Sequence, residues 1–144
     1  MYLVDTDVIS AGAPTKHRLT GLLDWMDANS ERLYLSAIAV AEIEDGIAKA
    51  RREDAGRKAS RLAQWLDGLL HLYSERVLPF DLAAARVAGP FTDLARSKGQ
   101  SPGFADIAIA AIAKAHGLIV LTRNLKHFTP FGIPTRDPFR ALPE

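Results

Sequence analysis

Apolar residues recur along this chain in two rhythms. Short unbroken blocks occur at Tyr2-Leu3-Val4, Leu33-Tyr34-Leu35, Val77-Leu78-Pro79-Phe80 and Leu118-Ile119-Val120-Leu121. Such blocks suit parallel strands, which are apolar on both faces because helices cover both. Between them, apolar residues return at the three-to-four spacing of amphipathic helices. Thr6 to Ala11 reads as a short helix stopped by Gly12-Ala13-Pro14, and Lys16 to Asn29 as a second, carrying Leu19, Leu22, Leu23 and Met26. Ser36 is a predicted N-cap for a helix to about Arg52, with Ala37, Val40, Ile43 and Ile47 as its stripe. A charged elbow from Arg51 to Lys58 leads into a helix bearing Leu62, Trp65, Leu66, Leu69 and Leu70.

Asp81 reads as the N-cap of the next helix, which is expected to kink or break at Gly89-Pro90. After a loop at Ser97 to Gln100, Ser101-Pro102 is expected to open a helix rich in Ala and Ile that runs to His116 and stops at Gly117. A last extended piece is expected near Ile133-Pro134-Thr135. The alternation β-α-α-β-α-α-β-α-α-β predicts an α/β fold: a single domain over residues 1–144, built as a three-layer α/β/α sandwich around a parallel sheet.

Composition narrows the function classes. At 144 residues, with 48% hydrophobic and 24% charged, the chain is an ordinary globular domain with a real core. No apolar run reaches membrane-spanning length. Acids at positions 5 and 7 and the lack of a basic-then-apolar leader predict an unexported, cytoplasmic protein. Cysteine is absent, which excludes disulfides, thiolate metal sites and thiol nucleophiles. The net charge of +1 gives no global pull toward nucleic acid, so any such attraction must come from local clusters.

Four polar residues sit where their neighbours are wrong for charge. Asp5 ends the first apolar block, with Thr6 and Asp7 beside it. Glu42 lies in the small-residue run Ser36-Ala-Ile-Ala-Val-Ala-Glu42, and Asp106 in the most apolar helix of the chain. Asn124 follows the block 118–121 as Asp5 follows the first. In parallel α/β folds, functional groups collect beyond the carboxyl ends of the strands. The ends at Asp5 and Asn124 are expected to be neighbours, and Ala105, Ala110 and Ala113 to leave room for a ligand beside Asp106. Carboxylates that converge repel one another unless a cation sits between them. A hard divalent ion such as Mg2+ or Mn2+ takes oxygen ligands of this kind.

The same residues carry a resemblance. Leu3-Val-Asp5-Thr-Asp7-Val-Ile-Ser10, Leu35-Ser36 with Ala41-Glu42-Ile43 and Gly46, Leu78-Pro-Phe-Asp81, Ala105-Asp106-Ile-Ala-Ile-Ala-Ala111, and Leu121-Thr122-Arg123-Asn124 with His127-Phe128 occur in one order over almost the whole chain. In this the chain resembles PIN-domain ribonucleases, and among them the VapC toxins of toxin–antitoxin pairs. The resemblance implies RNA hydrolysis with bound Mg2+ or Mn2+, on transfer or ribosomal RNA. It also implies a homodimer and neutralisation by a cognate, VapB-like antitoxin. It carries the metal-binding and catalytic acids onto Asp5, Glu42 and Asp106. The family's fourth acidic position falls on Asn124, and a supporting position where Asn is common falls on Asp7. Asp5 and Asp106 are then the principal metal ligands. Glu42 holds or deprotonates the attacking water, and Asn124, Asp7, Thr6 and Thr122 support them.

Other residues admit two readings. Lys49, Arg51 and Arg52, with Arg57, Lys58 and Arg61, either grip RNA phosphates or are solvated helix ends. Arg123, nearer the acids, is the better candidate for a phosphate contact. Glu44 and Asp45 fall on other helix faces than Glu42. His17, His71, His116 and His127 are too scattered for a ligand pair at helical spacing. Trp25 and Trp65 read as packing residues, and Leu62, Trp65, Leu66 and Leu69 as shared between core and dimer interface. Two rivals follow from the same acids. One is an RNA-binding module of weak activity, motivated by Asn124. The other is a receiver-type phosphoacceptor with Asp81 as acceptor.

Overall fold

The computed structural model describes residues 1–14, 17 and 19–144. Five strands, β1 (Tyr2–Val4), β2 (Leu33–Ser36), β3 (Val77–Leu78), β4 (Ile119–Leu121) and β5 (Thr135–Arg136), form one sheet in the order β3-β2-β1-β4-β5. Every pairing is parallel, with Tyr2 opposite both Leu33 and Ile119. The expected closing strand is real but lies at Thr135–Arg136, slightly after the predicted piece.

Side chains alternate across a strand, and this assigns each apolar block to two cores at once. Tyr2, Val4, Leu33, Leu35 and Leu121 face one layer, whereas Leu3 and Val120 face the other. The first layer holds α2 (Thr20–Ala28), α3 (Ala37–Arg52) and α4 (Gly56–Tyr73); the second holds α5 (Leu82–Ser97) and α6 (Phe104–His116). The predicted three-layer α/β/α arrangement is therefore the observed one. The first core is built from large side chains, with Leu66 buried and Leu62, Trp65, Leu69 and Trp25 packed partly buried against it. The second sets alanines at the helix contact, Ala84, Ala88 and Ala95 on α5 and Ala110, Ala111 and Ala113 on α6, beside Ile109, Ile112, Phe128 and Phe131.

Local signals explain most boundaries. The Ser36 hydroxyl caps α3 by accepting from the Ala39 amide at 3.0 Å, and Asp81 caps α5 through the Ala84 amide at 3.0 Å. Gly117 closes α6 in the left-handed region at φ 64°, a conformation that suits glycine. One expectation falls outside the described residues and three need correction. The predicted start of the second helix at Lys16 lies outside the described residues, and the described helix begins at Thr20. The buried stripe of α3 is Ala39, Ile43, Ile47 and Ala50; Ala37 is exposed and Val40 only half-buried. Of the kink or break expected at Gly89-Pro90, the break does not occur: α5 stays helical from Leu82 to Ser97. Proline there removes the bond to the Arg86 carbonyl and crowds that carbonyl with its ring, yet the helix runs on, with Ala84, Ala88 and Ala95 buried in the core shared with α6. Finally, α6 starts at Phe104 with Gly103 as N-cap, so Ser101-Pro102 belongs to the preceding loop.

Candidate active site at the strand switch point

Chain order runs outward from β1 in both directions, through β2 and β3 on one side and β4 and β5 on the other. The crevice beyond the carboxyl ends of β1 and β4 is thus the switch point of the sheet, where open α/β folds bind ligands. Asp5 occupies it at the end of β1, with its amide bonded to the Leu121 carbonyl of β4 at 2.9 Å. This residue also caps α1 (Thr6–Ser10), Oδ1 accepting from the Thr6 amide at 2.8 Å. The Thr122 hydroxyl donates to Oδ2 at 2.8 Å and itself accepts from the Asn124 amide at 3.0 Å. Asp7, two residues on in α1, accepts through Oδ2 from the Arg123 amide at 3.0 Å and the Asn124 side-chain amide at 3.2 Å. The predicted neighbouring of Asp5 and Asn124 is therefore observed, and it is made by direct hydrogen bonds between the two strand ends.

The facing wall comes from two helices. Glu42, exposed on α3, accepts from the Thr6 hydroxyl at 2.6 Å. Asp106, in the first turn of α6, pairs through Oδ2 with Nδ1 of His127 at 3.2 Å. His127 is the residue that sequence reasoning missed at this site. It sits in α7 (Leu125–Phe128), three residues past Asn124. That proximity to the end of the block 118–121 was the available signal; a search for paired histidines could not see a single one pairing with an acid.

Electrostatics tie the two walls together. Asp5 is only 6% exposed. Burial, then repulsion from Asp7 and more weakly Asp106, pushes its pKa up to about 7 against the opposing hydrogen bonds of Thr122 and Thr6. Burial also raises Asp7, opposed first by the Arg123 amide. Asp106 is raised by burial and by repulsion from Glu42 and Asp7, with the His127 charge opposing. Asp5, Asp7 and Asp106 thus feel one another across one crevice, as close carboxylates must. Asp7 Oδ1 is buried and makes no hydrogen bond among the described residues.

No three His, Asp or Glu side chains among the described residues are arranged to hold a metal ion as they stand. Glu42 is drawn to Thr6 and Asp106 to His127 instead. The donor chemistry nevertheless fits a hard divalent cation: the acids offer only oxygen, they repel one another, and Asp7 keeps an unsatisfied carboxylate oxygen.

The remaining candidates separate clearly. Arg123 is exposed and stacks its guanidinium over the Phe139 ring at 3.7 Å. Lys49, Arg51 and Arg52 are exposed at the far end of α3. Glu44 and Asp45 are exposed on other faces, as expected. Asp81 caps a helix beside the edge strand β3, which gives no support to a phosphoacceptor at a central strand end. Ala110 and Ala113 do not make room for a ligand; both are fully buried against α5, so their small size serves helix contact. Of that trio only Ala105, half-buried, stays near the crevice. Trp25 packs edge-on against Tyr2 at 5.9 Å and donates to the Pro143 carbonyl at 3.0 Å, a packing role as expected.

Comparison with known proteins bears on this geometry. The sequence pattern of the PIN domain matches residues 2–129. The chain is 38% identical over 144 residues to the VapC ribonuclease Y4jK of Sinorhizobium fredii, covering 96% of this chain and 98% of that protein. It is 34% identical over 141 residues to the toxin FitB of Neisseria gonorrhoeae, covering 96% and 99%. The crystal structure of FitAcB from the same organism superposes with a TM-score of 0.85 at 34% identity, again covering 96% and 99%. PIN-domain ribonucleases in general depend on a divalent metal. Because the pattern runs from β1 through α7 and these relatives align from end to end, the chain belongs to the PIN domain family.

Proposed function

We propose that this chain is an endoribonuclease toxin that hydrolyses RNA phosphodiester bonds with Mg2+, for which Mn2+ can substitute. The observation that carries the reading is the convergence of Asp5, Asp7 and Asp106 on the switch-point crevice, each raised first by burial, with Asp7 and Asp106 repelling Asp5 and with Glu42 and Asp7 repelling Asp106. Asp5, Asp106 and Glu42 would hold the ion. Bound there, it supplies a Lewis acid for the phosphoryl oxygens and lowers the pKa of a coordinated water.

The chain's own groups do the rest. The Thr6 amide and Thr122 hydroxyl fix both oxygens of Asp5, so its orientation is set before substrate arrives. Glu42 is held through Oε1 by Thr6, which leaves Oε2 to take the proton of the attacking water. Asn124 contributes through its contact with Asp7. Arg123, stacked on Phe139 and near enough to Asp7 for its charge to oppose that acid's upward shift, would meet a substrate phosphate. By likeness to VapC proteins, the substrate is a transfer or ribosomal RNA, the protein works as a homodimer in the cytoplasm, and a VapB-like antitoxin neutralises it. No helix of the described residues is long and apolar enough to cross a membrane.

The test is cleavage of total cellular RNA with added Mg2+. Cleavage is expected to vanish with EDTA and in Asp5→Asn. RNA bound but uncut under the same conditions would favour the second reading, an RNA-binding module, which the amide at position 124 motivates.

A further inference from the structure

Beside Asp106 lies a cavity of about 530 Å3, lined by Gln100, Ser101, Pro102 and Gly103 on one side and by Lys126, His127 and Pro130 on the other. Of the acids, Asp106 lines one end of it. The remainder sets the polar Gln100, Ser101 and His127 and the cationic Lys126 among the apolar surfaces of Pro102 and Pro130, and nothing in the hydrolytic reading uses Lys126 or the 100–103 loop. We propose that this cavity seats the nucleotide next to the scissile phosphate in a single-stranded stretch of RNA, with the Lys126 ammonium taking that nucleotide's phosphate. The inference rests on the ribonuclease reading and adds to it where the strand continues.

Three features support the assignment. The cavity opens directly onto Asp106, so a strand with its scissile bond at the acids passes into it. Lys126 is exposed and has no carboxylate within ion-pairing distance among the described residues. A positive charge beside an acidic crevice suits a polyanion whose reacting phosphate needs a metal while its neighbour needs a counter-charge. Finally, the walls are tied in place. The Lys98 ammonium donates to the Pro130 carbonyl at 2.9 Å, bridging the end of α5 to the turn after α7. The Gln100 amide bonds the Ala95 carbonyl at 2.9 Å across Gly99, whose φ of 68° sets the loop's direction. Gln100 and Ser101 are exposed, and their side chains make no hydrogen bond within the protein among the described residues. They are free to meet the unstacked base, which proteins read in single-stranded RNA by hydrogen bonds to its edges.

The experiment measures binding of a fluorescein-labelled 12-nucleotide RNA of mixed sequence in EDTA, with cleavage by the same preparations followed in Mg2+. Lys126→Ala is expected to weaken binding about fivefold at low salt and to make the slope of log K against log salt shallower by about 0.7, the change for one lost phosphate contact on a single strand. Lys126→Arg restores both. Ser101→Trp, which fills the cavity without altering charge, weakens binding and leaves the slope alone. Lys114→Ala, at the far end of α6, changes neither. If Lys126→Ala keeps the wild-type slope while wild-type protein binds and cuts RNA, the subsite is refuted and the ribonuclease reading stands. If wild-type protein neither binds nor cuts, both fall.

Discussion

The two walls of the crevice differ in how their acids are held. On the β1–β4 side, Asp5, Asp7, Thr122 and Asn124 are interlocked by hydrogen bonds across a strand pair, and Asp5 has both oxygens engaged. On the helical side, Glu42 and Asp106 each have one partner, and the Asp106 side chain is 25% exposed with His127 at 44%. The first wall is a fixed frame set by sheet geometry. The second is adjustable, held by contacts that a ligand can displace. A site of this kind can carry repelling carboxylates because only one side must be rigid for the geometry to be specified.

Asp5→Asn should give the largest effect, since it removes a charge the frame is built to orient. RNA cleavage is expected to fall by about a thousandfold or more, in line with removing a central electrostatic element from a site. The same variant should be more stable than wild type at neutral pH in EDTA. The sign follows from Asp5 having a folded pKa near 7 against 3.8 unfolded. The folded state then holds the extra proton between those values, so this contribution is complete below about pH 4 and is lost as pH rises through 7. Thermal melts at pH 5 and pH 8 should show wild type losing stability that Asp5→Asn keeps. Equal pH dependence in both would mean Asp5 is not the strained acid.

Asp106→Asn follows. Cleavage is expected to drop about a hundredfold, while circular dichroism shows an unchanged cooperative transition. Loss of folding would make the helical wall structural instead of adjustable. Thr122→Val leaves Asp5 Oδ2 and the Asn124 amide short of a partner, which costs about 1–3 kcal/mol for a buried group. A urea midpoint within error of wild type would show that the frame is looser than its hydrogen bonds suggest. The smallest effect is expected at the distant basic helix end. Lys49→Ala with Arg51→Ala and Arg52→Ala should weaken RNA binding at low salt only, and by less than Lys126→Ala in the same titration.

How far the sequence disclosed these walls depends on the range of the interaction involved. Asp5 beside Asn124 was legible because each ends an apolar block, and strand ends in a parallel sheet are brought together by the sheet itself. The caps at Ser36 and Asp81 and the stop at Gly117 were legible because they act within four residues. Apart from the Ser101-Pro102 helix start, a local signal two residues early, what failed was tertiary. Ala110 and Ala113 look the same in a sequence whether they clear space for a ligand or let two helices touch, and here they do the second. Pro90 signals a break locally but is outvoted by the packing of α5 on α6. His127 and the Arg123–Phe139 stack depend on where the chain returns after β4, which no periodicity encodes.

β5 has a practical consequence for anyone choosing where to cut. The PIN pattern ends at residue 129, yet the Thr122 amide is bonded to the Arg136 carbonyl of β5 at 3.0 Å, and Phe139 lies under Arg123. Expressing residues 1–129 alone would strip the edge that seats Thr122, and with it the hydroxyl that steers Asp5. A minimal fragment that retains the frame must therefore extend past Phe139, and a fusion partner at the carboxyl terminus needs a spacer long enough to leave the Trp25–Pro143 contact closed.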